Sequence, residues 1–124
     1  MNKKSFLFLG AITLWTLSPV LAGTSIAASA KDNYRTYCAQ CHGIAGNGRG
    51  INIRDMSVQP RNHTDADYMS QRSDDDLAKA DREGGLAIDK SVLMPPWGDT
   101  LSPSEIQDMV QYLRTLCHCK YNSQ

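Results

Sequence analysis

The sequence has no excess of charge of either sign. Thirteen lysines and arginines stand against thirteen aspartates and glutamates. The basic residues form no stripe, which argues against nucleic acid or an anionic membrane surface as a partner. There is no apolar run of about 20 residues, the length a bilayer-spanning helix needs. The longest, Phe6 to Leu17, falls short. No stretch of useful length alternates apolar with polar residues, which argues against a sheet. Bulky apolar residues are scarce after position 30, with Leu77, Ile106, Val110, Leu113 and Leu116 among the few. A small domain with so thin a core usually needs a disulfide, a metal or a cofactor as a staple.

The first thirty residues follow a different pattern from the rest. Met1-Asn2-Lys3-Lys4 is basic, the apolar run comes next, and Pro19 and small residues close it. This is the three-part pattern of a secretory signal peptide. Cleavage is expected after Ala30, in Ala28-Ser29-Ala30, with Ala22 as the second choice. Loss of residues 1–30 removes Lys3 and Lys4, leaving 11 basic against 13 acidic residues and a domain of residues 31–124 with a net charge of −2. An exported protein of this kind is expected in the periplasm, touching a membrane only through the signal peptide or a membrane-bound partner.

Four cysteines remain: Cys38, Cys41, Cys117 and Cys119. The first two stand in Cys38-Ala39-Gln40-Cys41-His42. A thioredoxin-like pair needs a βαβ setting, and none is visible. A structural zinc site needs a second ligand pair, which Cys117-His118-Cys119 supplies only on paper. C-x-x-C-H is also the signature of covalent haem attachment. Two thiols one helical turn apart each bond a vinyl group on one porphyrin edge, and His42 then lies beside the ring to ligate the iron. The expected cofactor is one covalently bound haem c.

Helix signals are clear in three places. Asp32 to His42 reads as a helix with Asp32 as its cap and Tyr34, Tyr37, Cys38 and Cys41 on one face. Ser73 to Glu83 opens on a serine cap and three aspartates, which the helix dipole favours there. Gly84-Gly85 ends it. Ser102 to Leu116 carries a capping box, Pro103 at the first helical position, and an apolar stripe from Ile106 to Leu116. Asp65 to Ser70 suggests a shorter helix. Gly43 to Gln59 and Leu86 to Leu101 read as loops, and the glycines of the first permit close backbone approach to a flat ring edge. The expected fold is all-α, with three or four helices and long loops around one haem.

The sixth iron ligand has several candidates. Met109 lies on the apolar stripe and reads as core, Met69 packs near the short helix, and Met56 is only 14 residues past His42. His63 is polar-flanked and expected to be exposed, and His118 ends the chain. Met94 lies 52 residues after His42, enough to reach the opposite ring face, and Pro95-Pro96 stiffen its loop. From spacing and stiffness it leads this group.

With these motifs in place the chain resembles a class I c-type cytochrome of the small monohaem bacterial kind. The resemblance rests on Cys38-Ala39-Gln40-Cys41-His42-Gly43, Pro60-Arg61-Asn62, Glu83-Gly84-Gly85, Leu93-Met94-Pro95-Pro96-Trp97-Gly98 and Val110-Gln111-Tyr112-Leu113-Arg114. It implies the cytochrome c fold, haem thioethers at Cys38 and Cys41, His42 and Met94 as axial ligands, and Tyr112 near the crossing of the first and last helices. The family often places a Gly-Pro after the haem motif, whose carbonyl orients the proximal imidazole. Here the place reads Gly50-Ile51; a carbonyl at Ile51 or nearby could still take that role, and the sequence assigns no acceptor for the His42 ring N–H. Arg61 and Trp97 are candidates for the haem propionates.

The implied role is single-electron transfer between redox proteins, with no enzymatic reaction. The alternative is a fixed cytochrome subunit of a larger oxidoreductase complex. The Cys-His-Cys tail lies outside the pattern. In an oxidising compartment an internal Cys117–Cys119 disulfide is favoured over an intermolecular bond or a metal site.

Overall fold

A computed structural model describes residues 28–123, and the expected signal peptide lies outside these residues except for its last three. All regular structure among the described residues is helical, in agreement with the all-α expectation.

The chain enters through α1 (Ala30–Asn33), passes without a break through a π-helical turn (Tyr34–Cys38), and continues as α2 (Ala39–His42). Ser29, not Asp32, is the N-cap: its hydroxyl accepts the Asp32 amide at 3.2 Å, and Asp32 sits in the first turn. π-Helical turns are rare inside helices and collect at functional sites. This one carries Tyr34 into the core and turns Tyr37 and Cys38 toward a cavity.

The two loops are more ordered than their composition suggested. Each contains a short 3₁₀ turn, Ile51–Asp55 in the first and Gly85–Ile88 in the second. Such turns satisfy a few backbone groups where no longer helix is possible. Between them lie α3 (Ala66–Met69), capped by Asp65, and α4 (Asp74–Glu83). Ser73 caps α4 in a full capping box with Asp76, and Gly84 closes it.

The longest helix, α5 (Pro103–Cys117), opens on the Ser102–Glu105 capping box. Glu105 uses its second oxygen to accept from Asn33 Nδ2 at 3.2 Å, tying the start of α5 to α1. The stripe on α5 then packs on Tyr34, and Tyr34, Ile106, Met109 and Val110 are almost fully buried. Tyr112 lies at this crossing, its ring 5.3 Å from that of Tyr34. At the far end Arg114 reaches across to Asp74 (2.8 Å), the Met69 carbonyl (2.7 Å) and the Arg72 carbonyl. One buried guanidinium thus joins α3, α4 and α5. Cys117 and Cys119 form a disulfide across the C-cap, and the Asn122 amide returns to the Ser70 carbonyl.

Candidate functional site

A cavity of about 330 Å³ opens between the α1–α2 rod, α4, α5 and the two long loops. Its size falls in the range of small-molecule sites. Cys38, Cys41, His42 and Met94 all line it. Met56, Met69 and Met109 line it too, so a thioether is available from more than one wall.

The thiols come from the π-helical turn and α2. They are free, and burial pushes the Cys38 thiol up to about 12, with the charges of Asp81 and Cys41 adding to the effect. A thiol so far from ionising is a poor metal ligand or exchange nucleophile at neutral pH. Among the described residues no three His, Cys, Asp or Glu side chains gather to hold a metal ion, and Cys117 and Cys119 are bonded to each other. The zinc and thioredoxin-like readings have no support here.

His42 is fixed from two directions. Its Nδ1–H donates to the Arg61 carbonyl at 2.9 Å. That bond leaves Nε2 as the free ligating nitrogen, the arrangement in which a second partner sets tautomer and ring orientation. Burial lowers the His42 pKa, while the Arg61 bond works the other way. The acceptor that the sequence leaves open is thus Arg61, and Ile51 is exposed. The physical reason lies in Gly50. Its amide donates to the Cys41 carbonyl at 3.0 Å, and a Cβ there would collide with the Gln40 carbonyl. The glycine thus permits approach to the backbone of the haem-motif helix and not to a ring edge. The chain then runs on to bring Pro60 and Arg61 beside His42.

The other face of His42 is covered by His63. Their rings are stacked at 4.1 Å between centroids and 16° between planes. His63 Nδ1 shares a 3.1 Å hydrogen bond with the Tyr34 hydroxyl, and its amide donates to the Gly46 carbonyl. The exposure expected for His63 is thus incorrect. Burial, with the charges of His42 and Arg61, holds its pKa well below the usual imidazole range. The polar neighbours Asn62 and Thr64 gave no sign of this. Asn62 Oδ1 instead folds back on the Thr64 amide and hydroxyl.

Met94 is delivered by a loop fastened to the end of α4. The last carbonyls of a helix lack internal partners, and here loop amides supply them. Trp97 N donates to Asp81 O (2.9 Å) and Gly98 N to Arg82 O (3.0 Å). Met94 O in turn accepts from Gly85 N at 3.0 Å. Gly84 adopts φ +83°, and a Cβ there would meet Met94 O at 2.8 Å.

The residues fit a haem. The wall is mostly apolar, two free thiols and an imidazole whose pKa burial lowers stand at one side, and a thioether is available. Arg72 lines the cavity with a buried Nε that has no partner, a donor suited to a propionate. No sequence motif marks Arg72 for this role. Arg61 and Trp97 also line the cavity. The Arg61 guanidinium lies 3.9 Å over the Tyr68 ring, and Trp97 packs on Tyr37.

Solved structures share this fold. The KustC0563 c-type cytochrome superposes with a TM-score of 0.57 at 24% identity, over 72% of this chain and 98% of that one. A chain of the Kuenenia stuttgartiensis reducing HAO-like protein complex Kustc0457/Kustc0458 gives 0.58 at 26% identity, over 74% of this chain and 43% of that one. The chain thus spans less than half of that second protein. No curated protein matches the chain. Residues 26–113, well over half of the sequence, match the family described as cytochrome c oxidase, cbb3-type, subunit III, and the chain belongs to that family of c-type cytochromes.

Proposed function

We propose that the chain is a periplasmic carrier of single electrons, holding one haem c through thioethers at Cys38 and Cys41 with His42 and Met94 as axial ligands. The observation that carries this reading is the meeting of these four residues around one apolar cavity, with His42 Nδ1 already engaged by the Arg61 carbonyl. Bound there, haem supplies a one-electron couple.

The chain's own residues do the rest. Cys38 and Cys41 tether, the Arg61 bond keeps His42 aimed, and burial favours its neutral form. Met94 closes the second axial position, and a thioether there raises the reduction potential. The apolar wall keeps water out. Val58 and Leu93 line the cavity yet stay exposed, giving its mouth an apolar rim suited to brief contact with redox proteins. With His42 and Met94 both available as ligands, a bound haem iron would have no open position for a substrate, which favours a carrier over a catalyst.

A second reading, a fixed subunit of an oxidoreductase complex, draws support from the description of the matching family and from the neighbour named as part of a protein complex.

The test of ligation is optical. The oxidised protein should show the weak long-wavelength Met-to-iron band, and Met94→Ala should abolish it while Met56→Ala leaves it intact. A band that survives Met94→Ala removes Met94 from the iron. Purification from native periplasm and membranes separates the two roles: a protein that travels alone is a carrier, and one that co-purifies in fixed stoichiometry is a subunit.

A further inference from the structure

Asp81 is the buried acid that electron transfer leaves unused. It lies on α4, is only 7% exposed, and lines the cavity. Its Oδ2 is buried without a hydrogen-bond partner. A carboxylate in such a place has lost its hydration and received nothing in exchange, an expensive state unless a proton or a nearby positive charge relieves it.

We propose that Asp81 is a redox-linked proton site, its carboxylate binding a proton from solvent more tightly when the site gains an electron from a redox partner and more weakly when the electron leaves. The proton offsets the added charge in part: with a tenfold change in affinity, up to about half a proton enters per electron, and the same amount leaves when the electron does. The inference rests on the haem reading of this cavity.

The surroundings support it. Burial pushes the Asp81 carboxyl up to about 7, so both forms are populated near neutral pH and a modest change in local field shifts the balance. Few other groups facing it can titrate in its place. From the first rod, Tyr34 is held protonated by burial, and Cys38 no longer ionises once it is a thioether. Trp97, from the Met94 loop, has no titrating proton. On α4, Arg82 and Glu83 are exposed and paired with each other. Of the charged residues elsewhere on the cavity wall, Arg61, Asp76 and Lys90 are exposed, and Arg72 makes no bond to Asp81. One unit of charge changing within a shared low-dielectric cavity alters proton affinity on the order of tenfold.

The test uses the haem-loaded protein. Its midpoint potential is measured by optical redox titration from about pH 5 to about pH 9, for the wild type, Asp81→Asn and Asp81→Leu. The wild-type potential should fall as pH rises through neutrality, and a tenfold affinity difference separates its two plateaus by about 59 mV. Both variants should be flat across this step and lie at the acid plateau. A flat wild type, or a step that survives in Asp81→Asn, overturns the proposal. If neither variant folds, the reduced-minus-oxidised infrared spectrum of wild-type protein labelled at the aspartate carboxyl carbon decides. A carboxylic C=O band that appears on reduction and moves with the label supports the proposal, and its absence overturns it. Pyridine haemochrome spectra of the same samples read covalent haem independently. Absent haem overturns both readings, whereas a haem-loaded protein with a pH-independent potential overturns this one alone.

Discussion

The ring of His63 lies flat on the ring of His42, 4.1 Å away, and is held there by the hydroxyl of Tyr34. His42 is therefore gripped on its edge and on its face by one short segment. Arg61 supplies the carbonyl and His63 the stacked ring. Tyr34 stands on the same rod as the two thiols, so the stack also ties the proximal segment to the helix that carries the attachment motif.

Removing this hydrogen bond should be costly because Tyr34 is fully buried and His63 is half-buried against it. His63→Leu fills the same space but leaves the Tyr34 hydroxyl unpaired, and Tyr34→Phe leaves His63 Nδ1 unpaired. Each should destabilise the haem-loaded protein by about 1–3 kcal/mol. The double variant should cost less than the sum, since nothing polar is then stranded. Guanidinium unfolding of the four proteins measures this, and strict additivity would deny the coupling.

Gly84→Ala should loosen Met94. The residue at 84 needs φ +83°, and its Cβ would press on the Met94 carbonyl. This positive-φ, extended-ψ region is open essentially to glycine alone and costs another residue about 1–3 kcal/mol before any clash. The expected outcome is a lower melting temperature and a weakened Met-to-iron band, with covalent haem content unchanged. An undiminished band would mean that the loop holds its place without this contact.

How much of this was legible depends on how local each cause is. The caps of α4 and α5 were visible because Ser73, Ser102 and Glu105 act within one turn of their own chain. Ser29 was overlooked because it lies inside the stretch read as leader, and Asp32 is an equally good cap by type. Arg61 acts through a backbone carbonyl, which every residue possesses, so its side chain carries no signal. His63 is buried by Gly46 and Tyr34, which are distant in sequence, while its immediate neighbours are polar. Asp81 did leave a trace. It stands four residues after Leu77 and three after Ala78, on the apolar face of α4, where a charge needs a reason.

Arg114 should prove structurally more important than the ion pair it makes. Asp74 is half exposed, so the charge pairing itself is screened. The guanidinium also serves the Met69 and Arg72 carbonyls, and Arg114→Met would leave these without a donor. The expected losses are about 3 kcal/mol for Arg114→Met and about 1 kcal/mol or less for Asp74→Asn. Thermal unfolding of the two variants orders them, and the reverse order would place the stabilisation in the ion pair.

Export processing should cut after Ala22 and leave Ser29 in the mature chain. Ser29 caps α1, its hydroxyl accepting the Asp32 amide and its carbonyl the Asn33 amide. Cleavage after Ala30 would remove that cap and place a charged amine at the start of the helix, where the dipole is unfavourable. A lost cap costs about 1 kcal/mol. The intact mass of the periplasmic protein locates the cut, and a chain beginning at Lys31 would refute this prediction.

Stability should depend on pH through Asp81, and the sign follows from its environment. The carboxyl titrates near 3.8 in the unfolded chain and at about 7 when folded, with burial as the cause. Between those values the folded state keeps a proton that the unfolded state has released. The folded protein is therefore favoured fully below about pH 3.8, loses that advantage as pH rises, and has lost it above about pH 7. The loss is on the order of a few kcal/mol at its full extent. Asp81→Leu has no proton to lose, so its gain over the wild type should grow from acid toward neutral pH and then level off. Urea unfolding of the reduced protein across that range tests this, because reduction keeps the iron charge constant while the carboxyl titrates. A gain that does not change with pH would assign the effect of the substitution to packing alone.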